Sequence, residues 1–274
     1  MKPDQRVVIT GANSGIGAEL AVLHAKRGDD IVMVNRSVER SRPVIDRIEH
    51  ESPTVRVDVV RADLDDHDSI VAASQQLRGR GPIDIFYNNA GVLLGKPEMS
   101  RHGIEMHAEV NTVAPYLFVR LLHDVLKGGT VLTVSTGAVD NTGELDVAGL
   151  ASPRTFKRLI GPYAQSKLAA TALMAAFARE YPTIGFRTGE PGAVKTPMTA
   201  GEGMPKLLIP IRNLMFSAPD KAAARLHDVA TNPEYAHPNG AFVLKGKIKA
   251  LPGGAADPDV QASLLAWCHD VTGV

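Results

Sequence analysis

The run Arg6 to Gly28, RVVITGANSGIGAELAVLHAKRG, constrains the fold of this chain more than any other. A short β-branched stretch, Arg6 to Thr10, leads into a turn carrying Gly11, Gly15 and Gly17, and a helix-forming stretch follows. Strand, Gly-rich turn and helix in that order give a glycine pattern structural meaning. Gly11 allows a tight turn, Gly15 lets backbone approach a pyrophosphate, and Gly17 lets the helix pack closely on the strand. The first turn of the helix offers N–H groups that suit phosphate. Asn13 and Ser14 are expected to hold the loop through local side-chain bonds. The spacing is Gly-x-x-x-Gly-x-Gly, and the plainer alternative is a flexible connection between strand and helix.

Further strands are predicted at Ile31 to Asn35, Val55 to Val60, Ile83 to Tyr87, Thr130 to Ser135, Ile184 to Thr188 and Gly240 to Lys245. Helical patterns occupy Gly103 to Leu126, Tyr163 to Arg179 and Asp257 to Val271. Alternating strands and helices predict an α/β fold: a Rossmann-like doubly wound parallel sheet in three αβα layers, one domain over residues 1–274. Open sheets of this kind bind ligands beyond the carboxyl ends of their strands, so the strand exits are the candidate site.

The second strand ends at Asn35-Arg36, where an acid would bind a ribose 2′-hydroxyl. An arginine there pairs with a 2′-phosphate, which favours NADP(H) over NAD(H). After the third strand, Asp63 either accepts from an adenine amino group or caps the helix beginning near Asp65. The fourth strand runs into Asn88-Asn89-Ala90-Gly91, small enough for a cofactor to lie against. Asn111 sits inside a helix for which it is a middling former, and Pro115 is expected to kink that helix. Thr136 follows the fifth strand, where a hydroxyl is placed to polarise a carbonyl oxygen, with Ser135 as the alternative. Glu190-Pro191-Gly192 leaves the sixth strand as a rigid turn, and Val194 and Thr196 are placed for a nicotinamide carboxamide. Residues 198–216 are expected to form a substrate lid rich in Met198, Met204, Leu207, Leu208, Ile209, Ile211, Leu214, Met215 and Phe216. The same apolar residues would equally suit a homodimer interface.

Tyr163 and Lys167 lie four residues apart in PYAQSKLA. A helix turns once in about 3.6 residues, so the two share a face. A free tyrosine has a pKa near 10, and a nearby ammonium favours the phenolate. Alone this spacing is common on helix surfaces; after a Gly-rich nucleotide turn it implies proton transfer to an oxygen.

Thirty basic and thirty acidic side chains leave a formal charge of zero, so no global field favours nucleic acid or an anionic membrane. Cys268 is the only cysteine, which rules out an intrachain disulfide. No signal-like start, bilayer-length apolar run or metal-ligand spacing stands out, and the expectation is a cytoplasmic protein without metal.

TGANSGIG, NNAG, Asn111, the STG at Ser135 to Gly137, YAQSK and PGAVKT occur in the order found in the short-chain dehydrogenase/reductase family, which this chain resembles from Thr10 to Thr196. HGIEMHAEVNTVAPYLFVRLL, the insertion GELDVAGL and the carboxyl-terminal run extend the resemblance, toward the retinol dehydrogenase-like branch. The resemblance implies an NADP-dependent oxidoreductase acting on a small carbonyl or alcohol. It makes Tyr163 the general acid/base and gives Lys167 the nicotinamide ribose and the task of lowering the tyrosine pKa. Asn111 would hold a water linking this lysine to solvent, and Thr136 would polarise the substrate, in place of the family's usual serine. Cofactor contacts are implied for Gly11, Asn13, Ser14, Gly15, Ile16, Gly17, Arg36, Asp63, Leu64, Asn89, Ala90, Gly91, Asn111, Tyr163, Lys167, Pro191, Gly192, Val194 and Thr196. Thr136 and the altered Asn111 helix, with Thr112, Ala114 and Pro115, depart from the branch and keep a second reading in view, a weakened member that senses dinucleotide, while Glu190 is a milder departure.

Overall fold

A computed structural model describes residues 5–201, 203–204 and 216–274. Eight strands form one sheet: β1 (Arg6–Thr10), β2 (Asp30–Asn35), β3 (Val57–Arg61), β4 (Ile85–Asn88), β5 (Thr130–Val134), β6 (Gly185–Gly189), β7 (Ala241–Leu244) and β8 (Lys247–Lys249). Their order is β3-β2-β1-β4-β5-β6-β7-β8. Neighbours from β3 to β7 are parallel, as the alternating pattern predicts. β8 departs from that prediction and pairs antiparallel with β7. The reason is local: Lys245 and Gly246, both at positive φ (52° and 71°), form a two-residue turn of the kind that folds a strand straight back.

Strand alternation builds both cores. Val8, Val32, Val34, Phe86 and Val131 face one side, whereas Val7, Ile9, Ile31, Met33 and Leu132 face the other. The second face is covered by α1 (Gly15–Ala25), α2 (Arg42–Glu51) and a helix at Pro219–Thr231 that packs on α1 and that the sequence pattern did not indicate. The first face is covered by α3 (His67–Arg78), α4 (Met106–Ala108), α5 (Ala114–Leu122), α6 (Pro162–Glu180) and a carboxyl-terminal helix, Pro258–Thr272. Among the described residues no helix is long and apolar enough to cross a membrane.

The helix predicted over Gly103 to Leu126 is interrupted. Between α4 and α5 the chain widens into a π-turn, Glu109–Val113, with Asn111 at its centre. Pro115 explains the interruption: it has no N–H, so the carbonyl four residues earlier, that of Asn111, lacks an α-helical donor. Beyond it the chain continues as α5.

From β1 the chain winds one way to β2 and β3 and the other way from β4 onward, so the ends of β1 and β4 diverge at the switch point where such sheets bind ligands. Leu132, fully buried in the central strand β5, supports that edge from beneath. Leu132→Ala should cost about 2–5 kcal/mol, read as a lower urea midpoint with an unchanged slope.

Candidate active site

A cavity of about 770 Å³ opens along the carboxyl ends of β1, β4, β5 and β6. Gly11, Asn13, Ser14, Gly15 and Ile16 line one end. Gly11 and Gly15 take positive φ (68° and 56°), which glycine adopts without strain. A Cβ on Gly11 would lie 3.1 Å from Ala90, and one on Gly15 would lie 3.2 Å from Thr196 Cγ2. Gly17 lies beneath the loop, and a side chain there would strike the Gly11 carbonyl and the Asn89 amide. Ser14 starts α1 without a side-chain capping bond, so the expectation that it ties the loop is not met. The loop is tied from β4 instead. Asn89 Nδ2 donates to the Thr10 carbonyl at 2.8 Å, and Thr10 Oγ1 accepts the N–H groups of Asn89 and Ala90, both at 3.0 Å. The exposed N–H groups of α1 and the glycine cradle fit a dinucleotide pyrophosphate.

The ends of β2 and β3 hold Arg36, Asp63 and Leu64, which lie outside the cavity. Arg36 is exposed and acts on the Asp63 carboxyl. Burial, then the neighbouring Asp65, raises the Asp63 pKa, while Arg36 pulls it down. Asp66, not Asp63, caps α3, accepting the Ser69 N–H at 3.3 Å. The capping alternative for Asp63 therefore falls. Arg61, which the sequence reading passed over, pairs in register with Asn35 and adds a second exposed guanidinium at this edge.

Thr136, Tyr163 and Lys167 meet on the cavity wall. The Ser135 hydroxyl bonds Thr171 Oγ1 at 3.1 Å and is buried. The Thr136 hydroxyl accepts the Ala138 N–H at 3.3 Å and stands near enough to the Tyr163 phenol to favour its ionised form. Burial pushes Tyr163 up to about 12, with the nearby Thr136 hydroxyl opposing it. Burial also pulls Lys167 down to about 8. Lys167 Nζ donates to the Val134 carbonyl at 2.9 Å. The expected lowering of the tyrosine pKa by Lys167 is thus not what the structure shows: desolvation dominates both groups and pushes each toward its neutral form.

Asn111 does not line the cavity. Its side chain accepts the Val92 N–H at 2.9 Å and donates to the Val92 carbonyl at 3.1 Å and to Ser166 Oγ at 3.0 Å. Gly91 makes this approach possible, since a Cβ there would sit 2.8 Å from Asn111 Oδ1 and 3.1 Å from Lys167 Nζ. Beyond β6, Pro191, Gly192, Val194 and Thr196 all line the cavity. Arg225 donates to the Pro191 carbonyl at 2.6 Å and braces the turn. Thr196 caps the short helix Pro197–Ala200 in a reciprocal pair with Thr199. Glu190 also faces the cavity. Burial raises its carboxyl pKa, opposed by the N–H of Gly192 and by Lys245 and Arg225.

Leu93, Tyr163 and Met204 form an apolar cluster with Leu159, Met198 and Phe216 against it. The predicted lid thus contributes Met198, Met204 and Phe216, whereas Leu207, Leu208, Ile209, Ile211, Leu214 and Met215 lie outside the described residues. Leu93 and Leu159 come from loops that periodicity cannot place and were not anticipated. Among the described residues no cluster of three His, Cys, Asp or Glu side chains could hold a metal.

The family model for short chain dehydrogenases matches residues 5–205. A Streptomyces sp. (strain C5) protein assigned as a daunorubicin C-13 ketoreductase is 29% identical, across 96% of this chain and 90% of its own length. Human retinol dehydrogenase 13 is 28% identical over 99% of this chain and 86% of its own, which places the sequence near a retinol dehydrogenase-like branch. The crystal structure of an alcohol dehydrogenase from the archaeon Thermococcus sibiricus, complexed with 5-hydroxy-NADP, superposes with a TM-score of 0.65 at 26% identity, covering 84% of this chain and 92% of that one.

Lys167 carries a testable linkage. Its folded pKa, about 8, lies below the ordinary lysine value of 10.5, so between these values the unfolded chain binds a proton that the folded chain does not. Stability from this group is full above the upper value and is lost as pH falls toward the lower one. Lys167→Met should remove that slope, a differential of roughly 3 kcal/mol in denaturant unfolding between pH 8 and 10.5.

Proposed function

We propose, because this chain belongs to the short chain dehydrogenase family, that it transfers a hydride between NADP(H) and a carbonyl or alcohol, working chiefly to reduce a hydrophobic aldehyde or ketone. The observation that carries this is the convergence of Thr136, Tyr163 and Lys167 on one cavity whose far end is the Gly11 to Ile16 loop. The nicotinamide, when bound, supplies or accepts the hydride. The chain's own residues manage the oxygen and its proton. Tyr163, held protonated by burial, is ready to donate as a carbonyl becomes an alkoxide. Thr136, on the same cavity wall as the phenol, is placed to hold the same oxygen. Lys167 stands four residues along α6 to take the ribose hydroxyls, and Asn111 fixes the Val92 backbone at the cavity wall. In oxidation Tyr163 accepts the proton back.

Three features support the finer reading. Arg36 and Arg61, with no acid at the end of β2, suit a 2′-phosphate and hence NADP(H). Leu93, Met204, Met198 and Phe216 favour an apolar substrate. Ser135 and Thr136 both line the cavity, and the Ser135 bond to Thr171 favours Thr136 as the polarising hydroxyl.

Tyr163→Phe should abolish NADPH consumption against a panel of aliphatic, aromatic and cyclic aldehydes and ketones. Tight NADPH binding with no turnover in the unaltered chain would favour the dinucleotide sensor instead. Arg36→Ala should weaken NADPH roughly tenfold or more, as expected for a charge-assisted phosphate contact, and leave NADH nearly untouched. Equal effects on both cofactors in a titration of nicotinamide fluorescence would remove the 2′-phosphate assignment.

A further inference from the structure

We propose that His107 is a positioning residue for Tyr163 and for the Leu93–Leu94 wall of the cavity, an inference that rests on reading Tyr163 as the proton-transfer group. His107 and Glu105 are each 1% exposed, on the segment that leads into the π-turn. His107 Nε2 lies 2.9 Å from the Leu94 nitrogen, and Nδ1 lies 2.7 Å from Glu105 Oε1. A backbone N–H can only donate, so Nε2 accepts and Nδ1 carries the hydrogen given to Glu105. These partners select one neutral tautomer of the ring. Glu105 Oε2 accepts the N–H groups of His107 (2.9 Å) and Ala108 (3.3 Å) and so caps α4. Each member of this buried set is partnered, and removal of one leaves the others desolvated without a bond.

The ring reaches the catalytic wall directly. It meets the Tyr163 ring edge to face, with centroids 6.0 Å apart and planes at 75°. Phe156, in the loop before α6, also lies against the ring, with centroids 6.0 Å apart. The Glu105 N–H bonds the Ala151 carbonyl at 2.8 Å, which ties that loop to the same pair.

The stretch Val92 to Leu94 belongs to no strand. Its backbone is held by two side chains four residues apart: Asn111 on Val92 and His107 on Leu94. Leu93, between the two tethers, packs with Tyr163 and Met204. His107 therefore sets the Tyr163 ring from one side and, through Leu94, the apolar residue that packs on it.

The full-length chain would be assayed with NADPH and decanal, benzaldehyde and cyclohexanone as probes, in His107→Ala, His107→Gln and Tyr163→Phe. The glutamine amide oxygen keeps an acceptor near the Leu94 N–H. In His107→Ala, kcat should fall about tenfold to a hundredfold, as for a displaced catalytic group, with NADPH affinity within about twofold and most of the loss recovered in His107→Gln. Hydrogen exchange at the Leu94 amide should quicken in the alanine variant and slow again in the glutamine variant. Unchanged kcat and KM in His107→Ala would overturn the inference. So would a parallel loss of kcat, NADPH affinity and thermal stability that glutamine fails to repair, the mark of a purely structural residue. Tyr163→Phe separates the two readings: full turnover there defeats the role of Tyr163, whereas abolished turnover beside an unaffected His107→Ala defeats only the positioning role. Should no probe turn over, the Tyr163 phenol is titrated by ultraviolet absorbance as the difference from Tyr163→Phe. Its ionisation should move toward that of a free tyrosine in His107→Ala and return in His107→Gln, and an unmoved titration would overturn the inference.

Discussion

The knot between β1 and β4 governs the rest of the site. Thr10 Oγ1 takes two N–H groups from Asn89 and Ala90, and the Asn89 side chain returns a bond to the Thr10 carbonyl. These strands are paired at their middles and must part at their ends for a ligand to enter. Side-chain bonds across the parting ends satisfy backbone groups that the sheet ladder no longer reaches. They also fix the glycine loop from outside, which lets Gly11, Gly15 and Gly17 remain without side chains and leaves the start of α1 open.

Desolvation is the second controlling term. Tyr163 and Lys167 are buried beside one another, and burial disfavours the charged form of each. A protonated phenol suits a proton donor in reduction, and the Thr136 hydroxyl moderates the upward push. The lysine gives its hydrogen to the Val134 carbonyl at the end of β5, so the strand end and the helix face are locked together at the chemistry. Along the same wall, Asn111 and His107 use side chains to hold a loop that has no strand partner.

Much of this was legible residue by residue. The β1 bounds were read as they stand, since Arg6 to Thr10 is β-branched and the next residue is a glycine. Tyr163 and Lys167 share a helix face because helical spacing alone places them so. The interrupted helix around Asn111 was less legible. Pro115 announced a disturbance, but a missing N–H does not say which backbone pattern takes the place of the α-helical one, and the chain takes a π-turn. The direction of the Tyr163 shift was misread because spacing shows a nearby cation and says nothing about how deeply both groups are buried. Arg61 and His107 escaped notice for a related reason: each gains its meaning from residues far along the chain.

The sequence by itself determined the strand, glycine turn and helix at the start, the alternation that builds a parallel sheet, and the family to which the chain belongs. Those depend on local propensity and periodicity, which act over a few neighbouring residues. Tertiary structure alone decided that Thr136 and not Ser135 faces Tyr163, that Asp66 and not Asp63 caps α3, and that His107 stands against the catalytic tyrosine. Each is a choice between chemically similar groups, made by which one the long-range packing leaves turned toward the cavity and which it commits to a bond inside the protein.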